Sequence, residues 1–289
     1  MYFEHNKRKV ITIVSFSIAA VLFGALMVIP GVQRAAGEVA VVREEQEYIQ
    51  PPVLSGNNAL QFDGVNDYVE IPEIAAIRTD EKEPLTVEFW VFIASRPDNW
   101  QKVVSKWGAR GGDDDEFVVS FRNNGTFGFA DTGRTGLDSI TTFPTNTWFH
   151  FCCVWDSADQ HYALYLNGER IPQSLKGGAA LRLTGEPIRI GTDGHRNQCF
   201  CGIIDEVRFW SMARSQVEIR RDMYRKLKGD VPGLKGYWDF DEGQGQVLHD
   251  LSESANNGKL GRLPFPDDSD PKWVASGVEL VNSSQAESR

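Results

Sequence analysis

Gly111-Gly112-Asp113-Asp114-Asp115-Glu116 sets four carboxylates behind two glycines. A pliant backbone followed by oxygen ligands one or two residues apart suits a hard divalent cation, which makes Asp114 and Asp115 candidate calcium ligands. A run of like charge that is only solvated is the competing reading. Asp63 and Asp67 in an early turn, with Asp205 in a late apolar run, form a second candidate set. Calcium shared among them would pin the ends of a domain, whereas aspartate also caps turns through its own backbone. Trp100 and Trp107, near Arg96-Pro97-Asp98-Asn99, are the tryptophans placed to face solvent and stack on a sugar. Trp90, Trp148, Trp155 and Trp210 lie in strand-like runs and are expected in the core.

The cysteines come as two close pairs, Cys152/Cys153 and Cys199/Cys201. Neighbours on a strand point to opposite faces, so Cys152 and Cys153 cannot share a surface. One of the first pair bridged to one of the second is the arrangement expected in an exported protein. A four-cysteine zinc site is the rival, and its spacings are not the usual ones. No Gly-x-Ser-x-Gly elbow, phosphate loop or His-Glu-x-x-His occurs, and His150, His161, His195 and His249 are scattered.

The elements that must position these residues read as short strands. Leu60-Gln61-Phe62 and Tyr68-Val69-Glu70-Ile71 flank a Gly/Asn/Asp corner, the pattern of a half-buried hairpin. Leu85 to Phe92, Glu116 to Phe121, Thr126 to Ala130, Trp148 to Trp155 and Tyr162 to Leu166 follow, with turns at Asn123-Asn124-Gly125 and Asn167-Gly168. Many short strands with turns every 8–12 residues predict an all-β, two-sheet antiparallel sandwich. One short side helix is predicted from the capping box Ser215-Gln216-Val217-Glu218, with Ile219, Met223 and Leu227 on one face and Gly229 and Pro232 as its stop.

Leu60 to Pro72 resembles the opening signature of the laminin-G-like, concanavalin A-like lectin-glucanase jelly rolls, and Gly202-Ile203-Ile204-Asp205-Glu206-Val207-Arg208-Phe209-Trp210 resembles the closing one. Asn146 to Asp156 is similar to the family's Trp-His strand. Gly236 to Gly245 and Asn256 to Leu260 resemble a segment that often opens such domains; here it comes last and is expected to complete the same sandwich. The resemblance spans residues 57–280 and implies a jelly roll that binds rather than cleaves. The acidic residues before Phe117 are similar to the calcium loop of pentraxins, whose further ligands fall in a loop here represented by Asp193; Gly194 and His195 depart from that pattern. Pentraxins also resemble the chain at Cys152, but their bridging partner corresponds to Glu88. Related glucanases carry Glu-x-Asp-x-x-Glu on one strand face, where carboxylates about 5 Å apart support retaining hydrolysis. Ile203 and Arg208 stand where both glutamates would be, so no catalysis is expected.

Before this domain, Lys7-Arg8-Lys9 precedes an apolar run from Val10 to Ile29, long enough to span about 30 Å as a helix. Residues 1–37 therefore read as a transmembrane signal anchor, or as a signal peptide cut before Glu38, with the N-terminus held in the cytoplasm. Residues 38–56 read as a linker and 281–289 as a disordered tail. Net charge is −10 overall and, without residues 1–37, 26 basic residues face 39 acidic ones. That balance excludes nucleic acid as a main partner. The expected protein is an extracytoplasmic, membrane-tethered or secreted module that binds carbohydrate with possible help from calcium. The alternatives are a structural or protein-interaction domain, and a glycan-cleaving enzyme with a displaced site.

Overall fold

The computed structural model describes residues 57–73, 83–96, 98–108, 115–131, 136–159, 161–176 and 184–282. The expected anchor, the linker, the cleavage point before Glu38 and Asp114 lie outside these residues. Among them, no helix is long and apolar enough to cross a membrane.

In chain order the first strands are β1 (Asn58–Asp63), β2 (Val69–Ile71), β3 (Leu85–Ile93), β4 (Gln101–Trp107), β5 (Asp115–Phe121), β6 (Phe127–Asp131), β7 (Gly136–Ser139), β8 (Trp148–Asp156), β9 (His161–Leu166) and β10 (Glu169–Arg170). Then come β11 (Gln173–Lys176), β12 (Ile188–Ile190), β13 (Cys201–Trp210), α1 (Gln216–Asp222), β14 (Arg225–Lys226), β15 (Leu234–Trp238), β16 (Val247–Leu248), β17 (Gly258–Leu260), β18 (Lys272–Ala275) and β19 (Val281–Asn282). One sheet has the order β10-β9-β8-β3-β13-β1-β18, with β15 also beside β13. The other runs β11-β7-β6-β5-β4-β12-β2-β17-β16.

The alternation in sequence explains the packing. Leu85, Val87, Phe89, Val91 and Ile93 of β3 point into a core shared with Phe117, Val119 and Phe121 of β5. The tail of the domain joins both sheets: β15 pairs with β13, and β17 pairs with β2. The late segment thus completes the one sandwich.

Two expectations need correction. Helix α1 starts at the Ser215–Glu218 capping box but ends at Asp222, well before Gly229. Ile219, Met223 and Leu227 reach three different apolar clusters, so past Met223 the chain gains more by turning into β14 than by adding a helical turn. Val281 and Asn282, placed in the expected tail, form β19 in parallel with Arg225 and Lys226.

Candidate functional site

The loop after β12 organises one end of the second sheet. Gly191 adopts φ +88, and a Cβ there would lie 2.4 Å from the Phe62 ring. Only glycine makes that turn without strain. The chain then runs back along β4. Thr192 accepts a bond from Ser105 Oγ at 2.8 Å, and the Gly194 N–H donates to the Trp107 carbonyl at 2.8 Å. Asp193 Oδ1 accepts the N–H groups of His195 and Arg196 at 2.9 and 3.2 Å, which tightens the tip. Phe200 N–H returns to Gly191 O at 2.8 Å and closes the loop.

This turn delivers Arg196 to β2. Its guanidinium lies 4.3 Å over the Tyr68 ring and 3.4 Å from Glu70 Oε2. Glu70 also accepts Arg189 Nε at 3.2 Å, and Arg189 Nη1 donates to Trp107 O at 3.2 Å. Beside Tyr68, the loop 261–270 docks through Tyr68 N–H to Ser269 O at 3.2 Å and Gly261 N–H to Tyr68 O at 2.8 Å. Between these parts opens a cleft of about 250 Å³ lined by Asn66, Tyr68, Arg196, Arg262, Asp268 and Ser269. Sequence reasoning missed Arg196, Arg262 and Asp268 as site residues. The available signal was Arg196 in the Asp193 loop, and Leu263-Pro264-Phe265-Pro266 as a stiff loop ahead of Asp268.

Among the described residues, no three of the expected metal ligands bring their donor atoms to one point. Asp63 Oδ1 accepts Val65 N–H at 2.7 Å and Asn66 N–H at 3.3 Å, while Asp67 Oδ2 accepts Asp63 N–H at 2.8 Å. Both carboxylates cap their own turn. Burial pushes Asp67 up to about 6, against the Asp63 N–H bond that lowers it. Asp205 does not join them: Asp63 pairs with Cys201, so Asp205 sits four residues further along β13, about 13 Å away. Asp205 instead accepts Ser276 Oγ in the buried layer outside the first sheet. Asp115 pairs with Trp107 through the backbone, near Asp193. Glu116 of the acidic run is committed to Lys106 at 2.9 Å, both side chains buried, with Thr184 as a further donor. Burial raises its carboxyl pKa and Lys106 opposes that rise. Among the described residues, donor atoms converge at Asp156, Asp159 and His161, a group that includes none of the expected aspartates.

Trp100 and Trp107 bracket β4, seven residues and about 23 Å apart along the strand, and cannot serve one ligand ring. Trp100 is 39% exposed, with the Arg122 guanidinium 4.0 Å over its ring. Trp107 is half-buried at the cleft end of the strand. Trp90, Trp155 and Trp210 are buried as expected, whereas Trp148 is only half-buried.

The expected disulfide is also corrected: Cys152, Cys153, Cys199 and Cys201 are all free. Cys153 lies opposite Val87, while Cys201 lies next to Gly202, the partner of Ile93. Six residues of β3, about 20 Å, separate the pairs, far beyond the roughly 7 Å that a bridge tolerates between Cα atoms.

Outside the first sheet a charged layer is sealed by α1 and the C-terminal segment. A bulge with Glu206 at φ 55 interrupts the β13–β3 register between Asp205 and Arg208. Glu206 accepts Arg208 and, at 2.9 Å, the Tyr237 hydroxyl. Burial raises Glu206 to about 7 despite Arg208. Asp205 and Glu206, nearest to the glucanase pattern, are both buried.

A family model described as the concanavalin A-like lectin/glucanases superfamily matches residues 63–220. The adhesion G-protein coupled receptor V1 of Danio rerio is 29% identical over 101 residues, 34% of this chain and 2% of the receptor. The chain therefore spans a small part of that relative. A candidate carbohydrate-binding protein from Bacteroides ovatus shares the fold with a TM-score of 0.58 at 19% identity, over 76% of this chain and 62% of that one. A heptameric SAP-like pentraxin from Limulus polyphemus aligns with a TM-score of 0.43 at 17% identity, over 58% of this chain and 82% of its own.

Proposed function

Because this chain belongs to the concanavalin A-like lectin/glucanases superfamily, we propose that it is a non-catalytic binding module that recognises carbohydrate outside the cytoplasm. The polar cleft of Asn66, Tyr68, Arg196, Arg262, Asp268 and Ser269 carries this reading. Fold alone does not select a ligand; a concave site with a few placed hydrogen-bonding groups does. The Bacteroides ovatus relative, itself a candidate carbohydrate binder, supports the same choice. Burial of Asp205 and Glu206 supports binding without bond cleavage, since a dissolved glycan does not reach them in this conformation. We place calcium at the Asp193 edge of the surface, with Asp114 and Asp115 supplying the other carboxylates. The run from Val10 to Ile29 exports the module in this reading, and tethers it if uncleaved.

Binding of the full chain to a broad glycan panel, with and without calcium, tests the proposal. Retention that Arg196→Ala and Asp268→Ala abolish, and Trp100→Ala leaves intact, is the expected result. A silent panel would turn the assignment to protein recognition. That second reading is favoured by Val65 and Phe265, apolar side chains 72% and 59% exposed on the two loops that line the cleft.

A further inference from the structure

The cleft is closer to charge balance than its protein. The whole chain carries −10, yet Arg189, Arg196, Lys259 and Arg262 gather on β12, β17 and the two loops beside β2. Glu70 is shared between Arg189 and Arg196, and Glu186 lies 3.4 Å from Arg189. Arg262 is exposed and makes no ion pair with any described residue. Its neighbour Asp267 accepts the N–H groups of Leu263 at 3.0 Å and Ser269 at 2.8 Å and attracts Arg262 from a distance without pairing with it. One guanidinium therefore lies over Tyr68, and a second is exposed at the mouth without an ion-pair partner among the described residues.

Asp268 supplies a carboxylate to the same wall, and Asn66 an amide. Neither side chain is hydrogen-bonded to another described residue. A bare anion would gain from the arginines and be repelled by Asp268. A sugar that carries an acidic group satisfies both parts: the acid meets the arginine forks, and ring hydroxyls donate to Asp268 and Asn66. At about 250 Å³ the cleft falls below the roughly 300–1,000 Å³ of sites for drug-sized ligands, so it seats one sugar residue rather than a chain segment.

We propose that this cleft selects acidic glycans, through a single carboxylate- or sulfate-bearing sugar held by Arg262 and Arg196 with its hydroxyls on Asp268 and Asn66. The proposal rests on the carbohydrate reading above and narrows its ligand class.

The test measures the full chain against matched glycans ending in glucose, glucuronate, glucose 6-sulfate and sialic acid, at low and high salt. At least a tenfold preference for one acidic terminus over neutral glucose is expected, and it should shrink as salt rises. The carboxylate and sulfate arms identify which acid is read. Arg262→Ala should erase the preference, bringing the acidic glycans to within about twofold of neutral glucose. Arg262→Gln gives a second variant, and melting temperature confirms folding for both. Equal or tighter binding of the neutral glycan overturns acidic selection while leaving carbohydrate recognition intact. An acid preference that survives Arg262→Ala and Arg262→Gln overturns the assignment to this cleft. Failure to bind any glycan overturns this proposal together with the carbohydrate reading.

Discussion

Glu88 Oε1 and Arg214 Nη1 meet at 2.9 Å, with the two side chains 0% and 1% exposed. Glu88 also accepts the Trp210 indole N–H at 2.9 Å, and Arg214 reaches Asp222 and the Glu218 carbonyl. This group fastens the segment around α1 to the outer face of β3. A buried charge that loses its partner is left without compensation, at a cost of about 3–5 kcal/mol. Glu88→Ala should therefore lower urea stability by about that amount. Replacing Glu88 and Arg214 together by apolar residues should cost less than the sum of the single changes, and additive losses would show that the two side chains act independently.

His150 sits beneath the same layer, directly opposite Trp90, and burial lowers its pKa to about 4 from an ordinary 6.5, with Glu88 opposing the shift. The folded state then binds fewer protons than the unfolded one. Stability from this group is present above pH 6.5 and is lost as pH falls toward 4, by about 3 kcal/mol in all. His150→Gln should flatten that limb of the stability-against-pH curve; an unchanged slope would assign acid sensitivity elsewhere.

Asp205 and Glu206 act in the opposite sense. Burial raises both, Glu206 to about 7, so the folded protein holds their protons more tightly than the unfolded chain. The Glu206 contribution is full below pH 4 and declines as pH rises through 7. Asp205→Asn removes a buried charge and leaves an amide oxygen to accept Ser276 Oγ. Its melting temperature should exceed that of the parent at pH 8, with the gain disappearing at pH 4. A loss at pH 8 would mean that the ionised carboxylate is needed.

Gly191→Ala places a methyl group into Phe62 on a backbone at φ +88. The change should cost at least about 1–2 kcal/mol and misplace Arg196, weakening glycan binding more than stability alone explains. Comparison of binding at matched folded fractions separates the two effects.

Thiol titration checks the cysteines. Cys152 and Cys153 are buried, and burial raises their pKa values and keeps them as thiols. Four thiols should react in denaturant without reductant, and Cys152 and Cys153 should resist a soluble reagent in the native protein. Two fewer thiols after denaturation would reveal a bridge.

Local physics made much of the fold legible. Short apolar runs between turns marked β3, β5, β8 and β9, Asn167-Gly168 marked its hairpin, and Ser215 with Glu218 marked the start of α1. Even the position facing Cys152 was readable from resemblance, because β3 and β8 do pair Glu88 with Cys152. Where α1 ends was not legible, because apolar burial beyond Met223 outweighed helical continuation.

The site was less legible for the same reason at longer range. Asp63, Asp67 and Asp193 were visible as acids, but whether a carboxylate caps its own turn or faces an ion depends on neighbouring N–H groups. Arg196, Arg262 and Tyr68 are far apart in the chain and meet only because β2 lies between β12 and β17. The sequence by itself determined the strands, their inward faces and the acidic balance, since these follow from side-chain periodicity and turn chemistry. Tertiary structure alone decided which charges met, because strand order and register set the distances on which electrostatics and hydrogen bonding depend.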